Sequence, residues 1–362
     1  MRAIRLLIVV LIALAVTEVG ITKGTEVGAK ANALSEARSS IPSVIQTDIK
    51  LATQAPTGST WHKALLDMGA AWSKVTGGRV KLTLYPDGRA GDEPTTIRKM
   101  RPGIDSLQAA LLTSVGLADI DDAFNVFGMP FFFESDEEQI AVQRKLEPRL
   151  NEILQKHGFQ LVAWGTGGWV QLFSKRPLKS LADVKSAKLF TSRGEDRMVQ
   201  WYTRNGFRPV PLLLSDIAPQ LKLPTGLIDA APNTPYLALV TQIFSDARYM
   251  LDLQIAPLSG ALVVATRTWN ALSADDRARM TEAARAMEAR IRTEAPKLDA
   301  DSIKAMTAKG LQIIKLDPPA LAEFRAAAND MIKSMRGGMV PNDIFDMAIQ
   351  ERDAFRKSKG RN

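Results

Sequence analysis

Cysteine is absent from all 362 residues, and histidine occurs only twice, at His62 and His157. Without cysteine there is no disulfide framework and no thiolate for catalysis or metal binding, so stability must come from core burial. The two histidines are far apart in the chain and neither has a partner at metal-ligand spacing, which reads as structural use. Nucleophile and phosphate motifs are missing as well: there is no GxSxG elbow, no GxxxxGKS/T loop and no GxGxxG fingerprint. Gly165, Thr166, Gly167 and Gly168 form only a short glycine-rich stretch that ends in Trp169. Hydrolase, kinase and dehydrogenase readings therefore lack a nucleus, and no cofactor or metal is expected. Carboxylates are plentiful, but a glycosidase pair is defined by its separation in space and not by sequence.

No long basic run occurs either. The net charge of +8 includes four basic and two acidic residues in 1–33, which leaves +6 on the remainder. Because Lys and Arg are interleaved with Asp and Glu, nucleic-acid binding is not expected, and attraction of small anions is the more modest inference. No segment reaches the roughly 20 apolar residues of a spanning helix. The nearest is Leu6 to Val16, preceded by Arg2 and Arg5, which has the form of a secretory signal. The best small-residue cleavage site, Ala31 to Ala33, lies well beyond that run, so a retained N-terminal anchor is the alternative.

What is present is an alternation of strand and helix patterns. Ile49 to Ala52 reads as a strand, and Trp61, Ala64, Leu65, Met68, Ala71, Trp72 and Val75 recur at helical spacing until Gly77 and Gly78 stop them. Val80, Leu82 and Leu84 alternate with polar residues as a second strand, completing a βαβ unit. Helices are expected over Glu93 to Met100, Asp136 to His157 and Glu195 to Asn205. Extended segments are expected at Leu107 to Leu112, Gln160 to Trp164, from Leu172, at Val210 to Leu214, Leu227 to Ala231 and Leu311 to Leu316. From Ser273, paired with Asp276 as an N-cap, apolar residues run at helical spacing to Leu298, a helix of roughly 45 Å that is longer than one lobe. Two further helices start near Pro319 and Pro341. The expected fold class is α/β with two lobes.

Several ordered segments resemble one family. LTLYPDGRAGDEPTTIRKMRPGID (82–105), FGMPFFFESDEE from Phe127, SKRPLKSLADVKSAKL from Ser174, TGLIDAAPNTP from Thr225 and TWNALSADDR from Thr268 are similar, as a set, to DctP-type extracytoplasmic solute receptors of tripartite ATP-independent periplasmic (TRAP) transporters. The resemblance implies a periplasmic binding protein-like fold whose two lobes close on a small solute, with a long helix spanning both. It implies delivery to small and large membrane subunits, and no nucleotide site. The expected layout is a signal peptide over 1–33, a linker over 34–47, and a first lobe over 48–167 to which 261–300 returns. A second lobe covers 168–260 with 301–340 packed on it, and a C-terminal helix covers 341–362.

The departures from the family pattern bear on the ligand. The resemblance implies two carboxylate-gripping arginines, because a planar guanidinium pairs both oxygens at once, yet Val170 and Phe190 stand at those positions. Either another arginine takes over, with Arg193, Arg197 and Arg89 as candidates, or the ligand is more aromatic and apolar, with Phe190, Trp169 and Trp61 as walls. Arg193 has as its bland reading an exposed ion pair with Asp196. The resemblance also points to Gln54 after the first strand, Asn233 in the TGLIDAAPNTP loop, and Tyr236 beside it. Thr113, with Ser114, marks a pocket edge. For each there is a plain alternative: a satisfied strand end, a turn residue, a first helical turn. Trp269 reads as core. Between Ser215 and Gly226 the chain is about two residues longer than the family pattern, either at the cleft or in a surface loop. The expected function is capture of a small organic anion, a carboxylate that is aromatic or partly apolar. The readings from other classes are a secreted two-lobed hydrolase and a sensory receptor.

Overall fold

The computed structural model describes residues 46–360. The signal-peptide reading of 1–33 and nearly all of the 34–47 linker lie outside the described residues. Nine strands form one sheet: β1 (Thr47–Thr53), β2 (Val80–Tyr85), β3 (Ala109–Thr113), β4 (Phe159–Ser174), β5 (Lys188–Ser192), β6 (Arg208–Leu212), β7 (Ala230–Asn233), β8 (Tyr249–Ala265) and β9 (Gln312–Ile314). Their order is β2-β1-β3-β8-β4-β7-β5-β6, with β9 paired to β8. β1, β2 and β3 run parallel at one end, β5, β6 and β7 run parallel at the other, and β4 and β8 are antiparallel in between.

Each end carries its own helices on both faces, as buried parallel strands require. In the first lobe, helix Thr60–Val75 begins at Ser59, whose hydroxyl accepts the His62 N–H. It buries Ala64, Leu65, Met68 and Trp72 against Ile49, Leu51 and Val80, together with Met280, Met287 and Ile291 of the long helix. The opposite face holds helix Glu93–Met100, helix Asp136–Lys156 and the C-terminal helix Asn342–Ser358 around Phe124, Phe127 and Leu146. In the second lobe, helices Ile217–Lys222 and Pro235–Val240 cover Phe173 and Phe190 on one face. Helix Leu181–Ser186 and the start of helix Pro318–Met335 cover Leu172 and Leu189 on the other.

The long helix, Ala274–Ala308, has 35 residues. Ser273 caps it through the Asp276 N–H, and Asp276 is held by both arms of Arg79, at 2.5 and 3.1 Å. Met280, Met287 and Ile291 lie in the first-lobe core and Met306 in the second-lobe core, so the helix spans both lobes. The 301–340 segment divides between the lobes: Phe324 packs in the second-lobe core, whereas Met331 and Met335 pack in the first.

Two features differ from the sequence reading. The extended stretches at 160–164 and from 172 are one strand, β4, and β8 was not expected at all. Both have their pattern broken midway. β4 slips register between Thr166 and Trp169, opposite Ser259 and Pro257 of β8, and Asp252, Gln254, Pro257 and Gly260 interrupt the apolar residues of β8. A Cβ on Gly260 would fall 2.3 Å from the Leu112 carbonyl oxygen, so this strand passes β3 too closely for a side chain. These broken middles are where the two strands leave one lobe and enter the other.

Candidate ligand cleft

Parallel sheets offer ligand sites at the carboxyl ends of their strands. In the second lobe those ends are the last residues of β5 and β7. Asn233, which ends β7, lies opposite Gln171 of β4. Asn233 turns its side-chain oxygen to the Thr234 N–H. Gln171 is 5 % exposed and its amide oxygen has no hydrogen-bond partner among the described residues, and the Thr191 hydroxyl on β5 has none either. A buried polar atom left unpaired costs about 1–3 kcal/mol, a cost that a ligand can remove by pairing with it. Sequence reasoning missed Gln171 because a single glutamine in a strand carries no pattern.

From the first lobe comes Glu93, at the start of helix Glu93–Met100. Its carboxyl accepts the Thr113 N–H at 2.6 Å and the Thr113 hydroxyl at 2.7 Å. Burial pushes Glu93 up to about 7 against those hydrogen bonds, with Asp119 adding to the rise. The folded state therefore keeps a proton that the unfolded chain, near its ordinary value of 4.5, has released. The sign follows: this contribution is present below about pH 4.5 and is lost as pH rises through 7, at most roughly 1.4 kcal/mol per pH unit. Glu93→Gln, which keeps an acceptor for the Thr113 N–H and a donor for its hydroxyl, is expected to flatten the profile and to be the more stable form at pH 8. Urea unfolding at pH 5, 6.5 and 8 measures this, and parallel profiles for the two proteins would contradict it.

Asp119 also faces the cleft. Crowding by surrounding protein, with Asp92 adding repulsion, raises it to about 6 although its side chain keeps an open edge. Glu195, at the start of helix Asp196–Arg204 in the second lobe, is raised by burial and by Asp119. In the turn after β5 stands Arg193. It is exposed, its N–H bonds the Leu212 carbonyl, and its charge helps to hold down the pKa of Asp92, behind the larger effects of Thr95. Among the described residues the Arg193 guanidinium makes no hydrogen bond or ion pair, with Asp196 or any other group. The other two candidate arginines are engaged. Arg89 pairs with Asp87 on the surface, and Arg197 binds Asp122 and the Gly338 carbonyl of the first lobe.

The remaining candidates are distributed as follows. Gln54 donates to the Gly91 carbonyl at 2.9 Å and braces the turn after β2. Trp61 donates to the Thr166 carbonyl at 3.1 Å and lies over Gly165, at the point where β4 changes lobe. Thr113 is bound to Glu93 as described. Trp169 is 8 % exposed; its indole N–H meets Asp136 at 2.9 Å, in a recess beside helix Asp136–Lys156. Phe190 is packed with Phe173, Leu212 and Ile217 in the second-lobe core. The hydroxyl of Tyr236 accepts the Thr60 N–H at 2.8 Å, and so joins the second lobe to the first turn of helix Thr60–Val75 in the other. Trp269 is core. The 215–226 segment is a helix and turn held by Lys175, which donates to the Leu223 carbonyl at 2.7 Å, and by Lys188, which donates to the Gly226 carbonyl at 2.6 Å.

The model of the bacterial extracellular solute-binding proteins, family 7 (DctP), matches residues 51–337. The chain belongs to this family. The family is one of solute-binding proteins, and among the described residues no helix is long and apolar enough to cross a membrane. One similar solute-binding protein is the sialic acid-binding periplasmic protein SiaP of Vibrio cholerae, 22% identical over 303 residues, which are 79% of this chain and 88% of SiaP. An uncharacterized protein of Haemophilus influenzae is 23% identical over 211 residues, so that this chain spans 62% of that relative's length. Among solved structures, a TRAP periplasmic solute-binding protein of Chromohalobacter salexigens with bound D-glucuronate superposes with a TM-score of 0.77 at 23% identity, covering 84% of this chain and 99% of that one. The two-lobed fold is thus that of the DctP solute-binding proteins.

Proposed function

We propose that this protein is an exported, periplasmic solute receptor that captures a small organic acid between its lobes and hands it to the small and large membrane subunits of a TRAP-type transporter. The observation that carries the reading is the uncommitted guanidinium of Arg193, an exposed second-lobe residue whose charge reaches Asp92 of the first lobe. It is supported by relatives whose names and bound ligands are acids, sialic acid and D-glucuronate. Closure on a ligand gripped from both sides supplies the differential affinity that shifts a two-lobed protein to its shut form.

The charge balance narrows the class of acid. One free guanidinium lies within charge range of Asp92, while Asp119 and Glu195 raise the negative potential nearby, so a single carboxylate is favoured over a dianion. With Val170 in place of one arginine and Phe190, packed in the core, in place of the other, the rest of the ligand is left to uncharged contacts: the unpaired Gln171 oxygen, which takes a donor, and the Asn233 amide N–H, which takes an acceptor. That combination suits a monocarboxylate whose body is uncharged.

Thermal-shift screening of monocarboxylates, dicarboxylates and neutral sugars tests the proposal, with stabilisation expected from the first group. A strong shift with a neutral sugar and none with acids would remove it. With a binding acid in hand, Arg193→Ala is expected to weaken affinity by about 1.5–3 kcal/mol, roughly 10- to 100-fold, by calorimetric titration. An unchanged affinity would return Arg193 to the surface.

A further inference from the structure

The long helix Ala274–Ala308 contains Pro296, which has no N–H to give to the turn before it, so the helix is weakened at that level. One turn further on, Asp299 turns both carboxylate oxygens away from its own helix. One accepts the Tyr236 N–H at 3.0 Å, in the first turn of helix Pro235–Val240. The other accepts the Trp169 N–H at 3.3 Å, at the register slip of β4. The neighbouring residue, Gly168, has φ +88°, and a Cβ there would lie 2.0 Å from this oxygen, so the carboxylate occupies space that any side chain would take. Tyr236, held at its backbone by Asp299, reaches with its hydroxyl to the N–H of Thr60 at 2.8 Å and lies 3.1 Å from the Thr60 hydroxyl in the opposite lobe.

We propose that Asp299 is a positioning residue for lobe closure: it fixes the crossing of β4 and the first turn of helix Pro235–Val240 as one unit, so that Tyr236 presents its hydroxyl to the Thr60 N–H at the N-terminus of helix Thr60–Val75. The helix beyond Pro296, the crossing strand and the phenol bridge then move together. A neutral side chain at 299 accepts with one oxygen only and releases one of the two backbone groups. Protonation has the same effect, and burial raises Asp299 to about 6, with Asp136 adding to the rise. The charged groups around it are Asp136, which holds the Trp169 indole, and Glu288 and Arg292 of the long helix, paired with each other at 2.5 Å.

The absence of native cysteine makes a direct test available. The full chain carrying Lys63→Cys in the first lobe and Lys222→Cys in the second, both exposed positions, takes a pair of spin labels whose separation reads the opening of the lobes. At pH 7.5, Asp299→Asn and Tyr236→Phe are each expected to shift the distance distribution toward longer separations. The double variant should shift no further than either alone. The parent protein should show the same lengthening as pH falls through about 6, and Asp299→Asn should lack that lengthening. A lower melting temperature without a change in distance would assign Asp299 to stability alone and overturn the proposal, as would additive shifts or identical distributions. None of these readings requires a ligand, so failure here is separable from failure of the solute-capture reading.

Discussion

Replacing Trp72 by alanine is expected to lower folding stability by about 3–5 kcal/mol, measured by urea unfolding followed by circular dichroism. Trp72 is fully buried, on the inner face of helix Thr60–Val75, in the cluster that also takes Ile49, Leu51, Met280 and Met287. Its indole N–H donates to the Met280 carbonyl at 2.9 Å, so one side chain joins the first helix of the body to the long helix that enters both lobes. Alanine removes the packing of two rings and leaves a cavity that neither helix can close, because each is fixed elsewhere. Helix Thr60–Val75 is fixed by Ser59, and the long helix by Arg79 on Asp276. A loss under about 1 kcal/mol would mean that this junction relaxes freely, contrary to the close-packed arrangement described.

Exchanging Arg356 for methionine is expected to cost a similar amount, about 3–5 kcal/mol, because it strips the cation from a carboxylate that cannot reach water. Glu138 is 2 % exposed; one of its oxygens takes the Arg356 Nε at 2.5 Å, and the other takes the Glu134 N–H at 2.6 Å. The same guanidinium donates to the Phe132 carbonyl at 3.2 Å. Burial works against the positive charge of Arg356, but the hydrogen bonds and charge of Glu138 outweigh it and leave its pKa raised. Adding Glu138→Gln to Arg356→Met is expected to recover part of the loss, since the stranded charge is then gone. If the single and double variants unfold at the same urea concentration, the pair carries no such penalty. Arg356 lies beyond residue 337, where the match to the family ends, so this clamp is how helix Asn342–Ser358 is secured to the start of helix Asp136–Lys156.

How much of this could be read from sequence depended on periodicity. Helix Glu93–Met100 and helix Asp136–Lys156 were expected with bounds within a residue of those found, because capping residues and apolar spacing agree there. The helix from Ser273 was legible for the same reason, but it runs to Ala308, ten residues beyond the expected Leu298, and that extension carries Met306 into the second-lobe core. β8 was illegible because its two halves serve different lobes: Leu251 and Leu253 alternate with exposed Asp252 and Gln254 in the first, whereas Ala261 to Ala265 in the second are apolar and buried throughout. For the candidate site, the residue types were legible and their partners were not. Arg193 and Tyr236 stood out by residue type, yet nothing in sequence separated an uncommitted guanidinium from the engaged Arg89 and Arg197, or assigned the Tyr236 hydroxyl to Thr60. Glu93 was hidden inside a segment read as helix, since its role depends on Thr113, twenty residues away along the chain.

β4 and β8 each belong to both halves of the molecule, and this constrains how the protein can come apart. Cutting the gene at the lobe boundary would sever two central strands, exposing raw backbone in either fragment, so neither half is an independent building block. The protein therefore folds as a single cooperative body whose lobes are not separable parts.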